Sequence, residues 1–61
     1  MTNLKVTFDG EAPVLMPISK LLTARDWSGR ERIRIELVEA GLVRRMSTDL
    51  DGRPCDIEVA S

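Results

Sequence analysis

The sequence predicts a small α+β domain, with an N-terminal strand or hairpin, two short helices and a C-terminal β-hairpin, in the order ββααββ. Three observations support this class. Leu4 to Phe8 alternates apolar and polar residues, as a half-buried strand does. A helical pattern over residues 28–41 has a clear start and a clear end. Asp51-Gly52 then separates two more alternating segments, which is typical of a hairpin.

The N-terminal arm covers residues 1–16. After the first strand, Asp9-Gly10 is a turn signal. The short apolar run from Val14 to Met16 has two interpretations: it pairs back on the first strand, or it enters a helix with Pro17 near the first turn. We favour the hairpin. Whether this arm joins the C-terminal hairpin in one four-stranded sheet is left open.

The second segment, residues 18–41, is predicted to form two helices separated by a short break. The first is predicted from Ile18 to Arg25. The second begins at Ser28, whose hydroxyl and the Glu31 carboxylate fit a reciprocal capping box. It ends at Gly41, a residue suited to the left-handed conformation that follows a helix. Trp27, just before the cap, is expected to pack on Ile33 or stack on Arg32.

The second helix carries apolar residues on two sides. Ile33, Leu37 and Ala40 form one stripe, whereas Ile35 and Val38 lie on the other side. A surface helix of a monomer needs only one apolar stripe. Either the helix lies between two layers of its own domain, or the Ile35/Val38 face contacts another molecule.

The third segment, residues 42–60, is the predicted C-terminal hairpin. Its first strand starts at Leu42, and its second carries Cys55, Ile57 and Val59 on one face. Cys55 therefore has the pattern of a buried structural cysteine. We expect one domain over residues 1–61.

Size and composition limit the features that can stabilise such a small fold. A chain of 61 residues buries a small core and is stable only marginally on its own. One Cys and no His exclude an internal disulfide and make a zinc site improbable, so we expect no cofactor. A homodimer or a partner is therefore expected. With no membrane-length apolar run and no secretory pattern, we expect a cytoplasmic protein.

The charge distribution is uneven along the chain. Residues 20–45 carry about three net positive charges, and the two flanks carry about four net negative charges. The absence of His, Tyr and a glycine-rich phosphate loop leaves acid–base and covalent catalysis without their usual residues, so we expect no enzyme.

The run Gly41-Leu42-Val43-Arg44-Arg45, placed between a helix and a hairpin, is similar to that of winged helix-turn-helix regulators. The resemblance covers residues 18–60. It implies a recognition helix in the major groove of double-stranded DNA and a β wing near the phosphates. By this resemblance the candidate DNA-binding residues are Arg30 and Arg34 on the helix and Arg44, Arg45 and Arg53 near the phosphates.

Two hypotheses follow. The first is a small DNA-binding transcriptional regulator of phage or plasmid type, acting as a dimer. Glu31, Glu36 and Glu39 on the same helix would repel phosphate, so the alternative is a solvated helix face with Glu31 paired to Arg34. The second hypothesis is a phage inhibitor of a host nucleic-acid-handling protein, such as an anti-CRISPR. Its candidate interface residues are Asp49, Asp51, Asp56 and Glu58, or the Ile35/Val38 face.

Overall fold

A computed structural model of the chain describes residues 2–60. Four strands form one antiparallel sheet, and both helices pack on one face of it. The predicted α+β class is therefore confirmed, and the N-terminal arm does join the C-terminal hairpin in one sheet. The elements are β1 (Asn3–Phe8), β2 (Val14–Pro17), α1 (Ile18–Thr23), α2 (Gly29–Glu39), β3 (Arg45–Leu50) and β4 (Arg53–Val59). The order of the strands across the sheet is β2-β1-β4-β3.

The β3–β4 hairpin is closed by the predicted two-residue turn. Asp51 and Gly52 have φ values of 54° and 77°, the left-handed pair that a type I′ turn requires. The register follows from this turn, with Leu50 opposite Arg53 and Met46 opposite Ile57. Because side chains alternate along a strand, Met46 and Leu50 face the helices, while Arg45 and Ser47 lie on the opposite face.

The core lies between the sheet and the helices and is drawn from both ends of the chain. β1 pairs with β4, which places Val6 opposite Ile57 across more than fifty residues of sequence. The helices complete this layer. Its buried residues are Leu4, Val6, Leu21, Ile35, Val38, Met46, Leu50, Cys55 and Ile57.

Both ends of α2 have the structure that the sequence predicts. The Ser28 hydroxyl accepts a hydrogen bond from the Glu31 N–H, and the Glu31 carboxylate accepts from the Ser28 N–H. At the other end Gly41 has φ 80°. The Gly41 N–H donates to the Val38 carbonyl and the Leu42 N–H to the Leu37 carbonyl, which together form a Schellman motif.

The buried face of α2 is the one that carries Ile35 and Val38, both fully buried. The hypothesis of an intermolecular Ile35/Val38 interface is therefore wrong. Ile33, from the longer apolar stripe, is 58% exposed. The choice of face is made by tertiary packing: the same inward side carries Glu31, whose carboxylate reaches Thr48 on β3.

Two predicted element boundaries are corrected. Helix α1 ends at Thr23 rather than at Arg25. Strand β3 begins at Arg45 rather than at Leu42, because the Leu42 and Val43 N–H groups both bond back to the helix carbonyl of Leu37. Within residues 2–60, no helix is long and apolar enough to cross a membrane.

The arginine that stacks on Trp27 is Arg25 rather than the predicted Arg32. The Trp27 indole N–H donates to the Leu21 carbonyl at 3.0 Å. The Arg25 guanidinium carbon lies 4.6 Å from the centre of the ring. Trp27 therefore connects the end of α1 to the start of α2.

Candidate nucleic-acid interface

The first two turns of α2 carry three exposed arginines. Arg30 and Arg34 are one turn apart and share one flank of the helix, while Arg32 lies on the other flank. Within the part of the chain that the structure describes, none of the three forms an ion pair. Their charge is thus directed to solvent.

Glu31 lies among these arginines in the sequence but is held inward by the fold. Its carboxylate accepts from the Arg25 guanidinium at 2.8 Å and from the Thr48 hydroxyl at 2.9 Å. The Thr48 bond, the cap at Ser28 and the positive charge of Arg25 together lower the pKa of Glu31. The alternative pairing of Glu31 with Arg34 is therefore wrong, since Arg25 is the partner.

The charges along the exposed side of α2 are consequently polarised. The N-terminal half presents arginines without an exposed carboxylate, and the C-terminal half presents Glu36 and Glu39. The partial positive charge at a helix N-terminus has the same sign as the arginines there. An anion is therefore attracted to the first two turns rather than to the end of the helix.

Two of the remaining candidate arginines, Arg45 and Arg53, form ion pairs with carboxylates of this chain. Arg45 lies on the sheet face opposite the helices, with its guanidinium 3.4 Å from the Asp56 carboxylate. Arg53 forms an ion pair with Glu11, and its guanidinium carbon lies 4.3 Å from the centre of the Phe8 ring. Arg44 is exposed after the end of α2 and has no ion-pair partner within residues 2–60.

Of the four acidic residues in the protein-interface hypothesis, Asp56 and Glu58 form contacts with other side chains of this chain. Asp56 accepts from the Ser47 hydroxyl at 2.6 Å in addition to its contact with Arg45. Glu58 lies 2.8 Å from the Lys5 ammonium, whose hydrogen bond and charge lower the pKa of Glu58.

Asp49 and Asp51, by contrast, are exposed near the β3–β4 turn and have no cationic side-chain partner among the described residues.

Sequence patterns did not single out Arg25 and Thr48. Arg25 donates both to Glu31 and to the Asp49 carbonyl, so it connects the end of α1 to α2 and β3. The three groups are separated by up to twenty-four positions in the sequence. The only local signal was the Ser28–Glu31 capping box. It predicts that the Glu31 carboxylate lies near the Ser28 N–H, but it does not predict the contacts with Arg25 and Thr48.

Other chemistry has little support in the described residues. Cys55 is buried, and burial raises the pKa of its thiol, which keeps it protonated and unreactive. No group of three or more His, Cys, Asp or Glu side chains between residues 2 and 60 is placed to hold a metal ion.

Comparisons of the chain with models of known protein families, with curated proteins and with solved structures found no match.

Proposed function

We propose that this protein is a small, non-enzymatic DNA-binding regulator that inserts the first two turns of α2 into the major groove. Arg30 and Arg34 contact bases or the backbone from one flank of the helix. Arg44 contacts a phosphate near the end of the helix. The major groove of B-DNA is wide enough to admit an α-helix.

The observation that carries this proposal is the inward position of Glu31. A carboxylate exposed between Arg30 and Arg34 would be repelled by phosphate and would offset their charge. Arg25 and Thr48 bind that carboxylate instead on the side of α2 that faces the sheet, where the Glu31 side chain is 27% exposed. The surface that faces outward from the start of α2 is thereby left cationic, even though the net charge of the chain is −1.

In this proposal α2 acts as the recognition helix of a winged-helix regulator does, but the β3–β4 hairpin does not act as a DNA-binding wing. In this fold β4 is a central strand of the sheet, and the β3–β4 turn presents Asp49 and Asp51. These carboxylates would meet phosphate unfavourably. Arg45 and Arg53 are assigned to intramolecular ion pairs and not to DNA contact.

Fluorescence anisotropy with a mixed-sequence duplex, at about 50 and 200 mM salt, tests this proposal. We expect affinity that falls steeply with salt. On a preferred site selected from random duplexes, Arg34→Ala should weaken binding by about 1–3 kcal/mol. The matched control is Arg53→Ala, which removes a paired arginine and should leave affinity unchanged. Equal effects of the two substitutions would remove α2 from the interface.

A protein partner is the second candidate function, favoured by the carboxylates of Asp49 and Asp51, which have no cationic partner within residues 2–60. Such a partner would present a basic surface of the kind that nucleic-acid-handling proteins carry. An absence of duplex binding at low salt would overturn the DNA proposal. The surface around Asp49 and Asp51 would then be the first to test for binding to a protein partner.

A further inference from the structure

The two edges of the sheet differ in what they offer to another strand. Within β2, Pro17 has no N–H, and Pro13 precedes the strand. The Ala60 N–H donates to the Asn3 carbonyl, so the backbone groups of Asn3 point toward β4. Because these groups alternate along a strand, those of Leu4 and Val6 point toward β2 and bond to Met16 and Val14. Leu15 is therefore the one residue of β2 whose N–H points to the free side.

The β3 edge has three outward-facing residues, although one of them, Asp49, already accepts a hydrogen bond from Arg25 at its carbonyl. Because Leu50 and Arg53 flank a two-residue turn, they form a hydrogen-bonded pair, and alternate residues of β3 bond to β4. The backbone groups of Arg45, Ser47 and Asp49 consequently point away from the sheet. The Asp49 carbonyl accepts from Arg25, a side chain outside the sheet, which agrees with this direction.

The sequence of this edge is complementary to itself in the antiparallel direction. If two copies of β3 pair about Ser47, each Arg45 lies opposite the partner's Asp49, so opposite charges face each other twice. Cross-strand pairs of opposite charge stabilise antiparallel sheets, and like charges destabilise them. No proline or like-charge pair lies at these three positions, and the Asp49 carbonyl, which accepts from Arg25, has a second lone pair for the N–H of the facing strand.

We propose that this edge is a homodimer interface, in which the β3 strands of two copies pair antiparallel about Ser47. The result is one continuous sheet of eight strands, twice the four of a single chain. In such a ladder paired side chains share a face, so the α2 helices of both copies lie on the same side. The dimer also covers the exposed strand edge, which otherwise invites aggregation.

The test measures the mass of the full chain in solution without DNA, by sedimentation equilibrium across a wide range of concentration. A failure here is therefore separate from a failure of DNA binding. We expect twice the 6.8 kDa mass of one chain. A mass of 6.8 kDa at every concentration would overturn the proposal.

Proline substitutions locate the edge. Ser47→Pro removes an outward N–H and should abolish the dimer, while Leu15→Pro makes the same change on the other edge and should leave it intact. Ser47→Ala controls for the lost hydroxyl contact with Asp56 and should remain dimeric. Circular dichroism checks that each variant is folded. A folded Ser47→Pro variant that stays dimeric would overturn the proposal.

Charge reversal provides a second test that does not depend on proline. Arg45→Asp alone, or Asp49→Arg alone, places like charges opposite each other in a self-pair, and each should lose the dimer. An equimolar mixture of the two variants restores opposite charges across the pair and should recover the double mass. Single variants that dimerise as the wild type does, or a mixture that stays monomeric, would contradict this register.

Discussion

Glu31 connects the start of α2 to two other parts of the chain, through Arg25 and Thr48. These contacts lower its pKa below the ordinary value of a glutamate, about 4.3. A lowered folded-state pKa means that the carboxylate contributes its full stabilisation above the unfolded value. That contribution is lost as the pH falls through the folded value.

We therefore expect Glu31→Gln to lower the free energy of unfolding at neutral pH, with a difference from wild type that shrinks below about pH 4.3. Urea unfolding at a series of pH values measures this difference. The matched control is Glu36→Gln, which changes an exposed carboxylate without an ion-pair partner among residues 2–60 and should show little difference at any pH. A Glu31→Gln difference that grows in acid would contradict the assignment.

At the scale of one element, α2 carries two isoleucines with opposite surroundings. Ile35 is fully buried, and Ile33 is 58% exposed. Deleting most of a buried Ile side chain costs about 2–5 kcal/mol, while exposed substitutions stay within about 0.5 kcal/mol. We expect Ile35→Ala to be strongly destabilising and Ile33→Ala to be nearly neutral, as measured by thermal or urea unfolding.

Ile35→Val is the milder substitution, because it removes a single methyl group and costs about 0.5–1.5 kcal/mol. Ile33→Val is its exposed counterpart. If the Ile33 substitutions were the costly ones, the burial of α2 would be the reverse of that described.

The element ends were predictable because their signals are local. A capping box spans three positions, a Schellman motif needs one left-handed glycine, and a type I′ turn needs Asp-Gly. The orientation of α2 was not predictable, because Ile33 and Ile35 make both of its sides apolar. Strand β3 was predicted to begin too early, because Leu42 and Val43 have strand-like character but bond to the end of the helix.

At the scale of the whole molecule, the candidate site also has a part that local sequence signals predict and a part that only tertiary packing determines. Arg30 and Arg34 were identifiable from their one-turn spacing on a well-marked helix. The separation of Arg45 and Arg53 from them was not, because it depends on which sheet face each residue occupies and on partners such as Glu11. The contact between Arg25 and Glu31 was also missed, because it forms only when α1, α2 and β3 are assembled.

The sheet order gives the last prediction. β1 lies between β2 and β4 and contributes Leu4 and Val6, both fully buried, to a core of nine residues. A chain that begins at residue 18 would lose these side chains and would leave β4 without one of its two neighbours. We expect this truncated chain to lack a cooperative thermal transition by circular dichroism, whereas the full chain shows one.

A milder variant separates the loss of the strand from the loss of chain length. Val6→Ala leaves the chain complete and should lower the midpoint of the same transition, because it leaves a cavity against Ile57. The exposed control is Val14→Ala on β2, where the side chain is 45% exposed and the midpoint should change little. Cooperative unfolding of residues 18–61 alone would show that the helices and the C-terminal hairpin form an independent domain, and β1 would then be an accessory strand rather than part of the core.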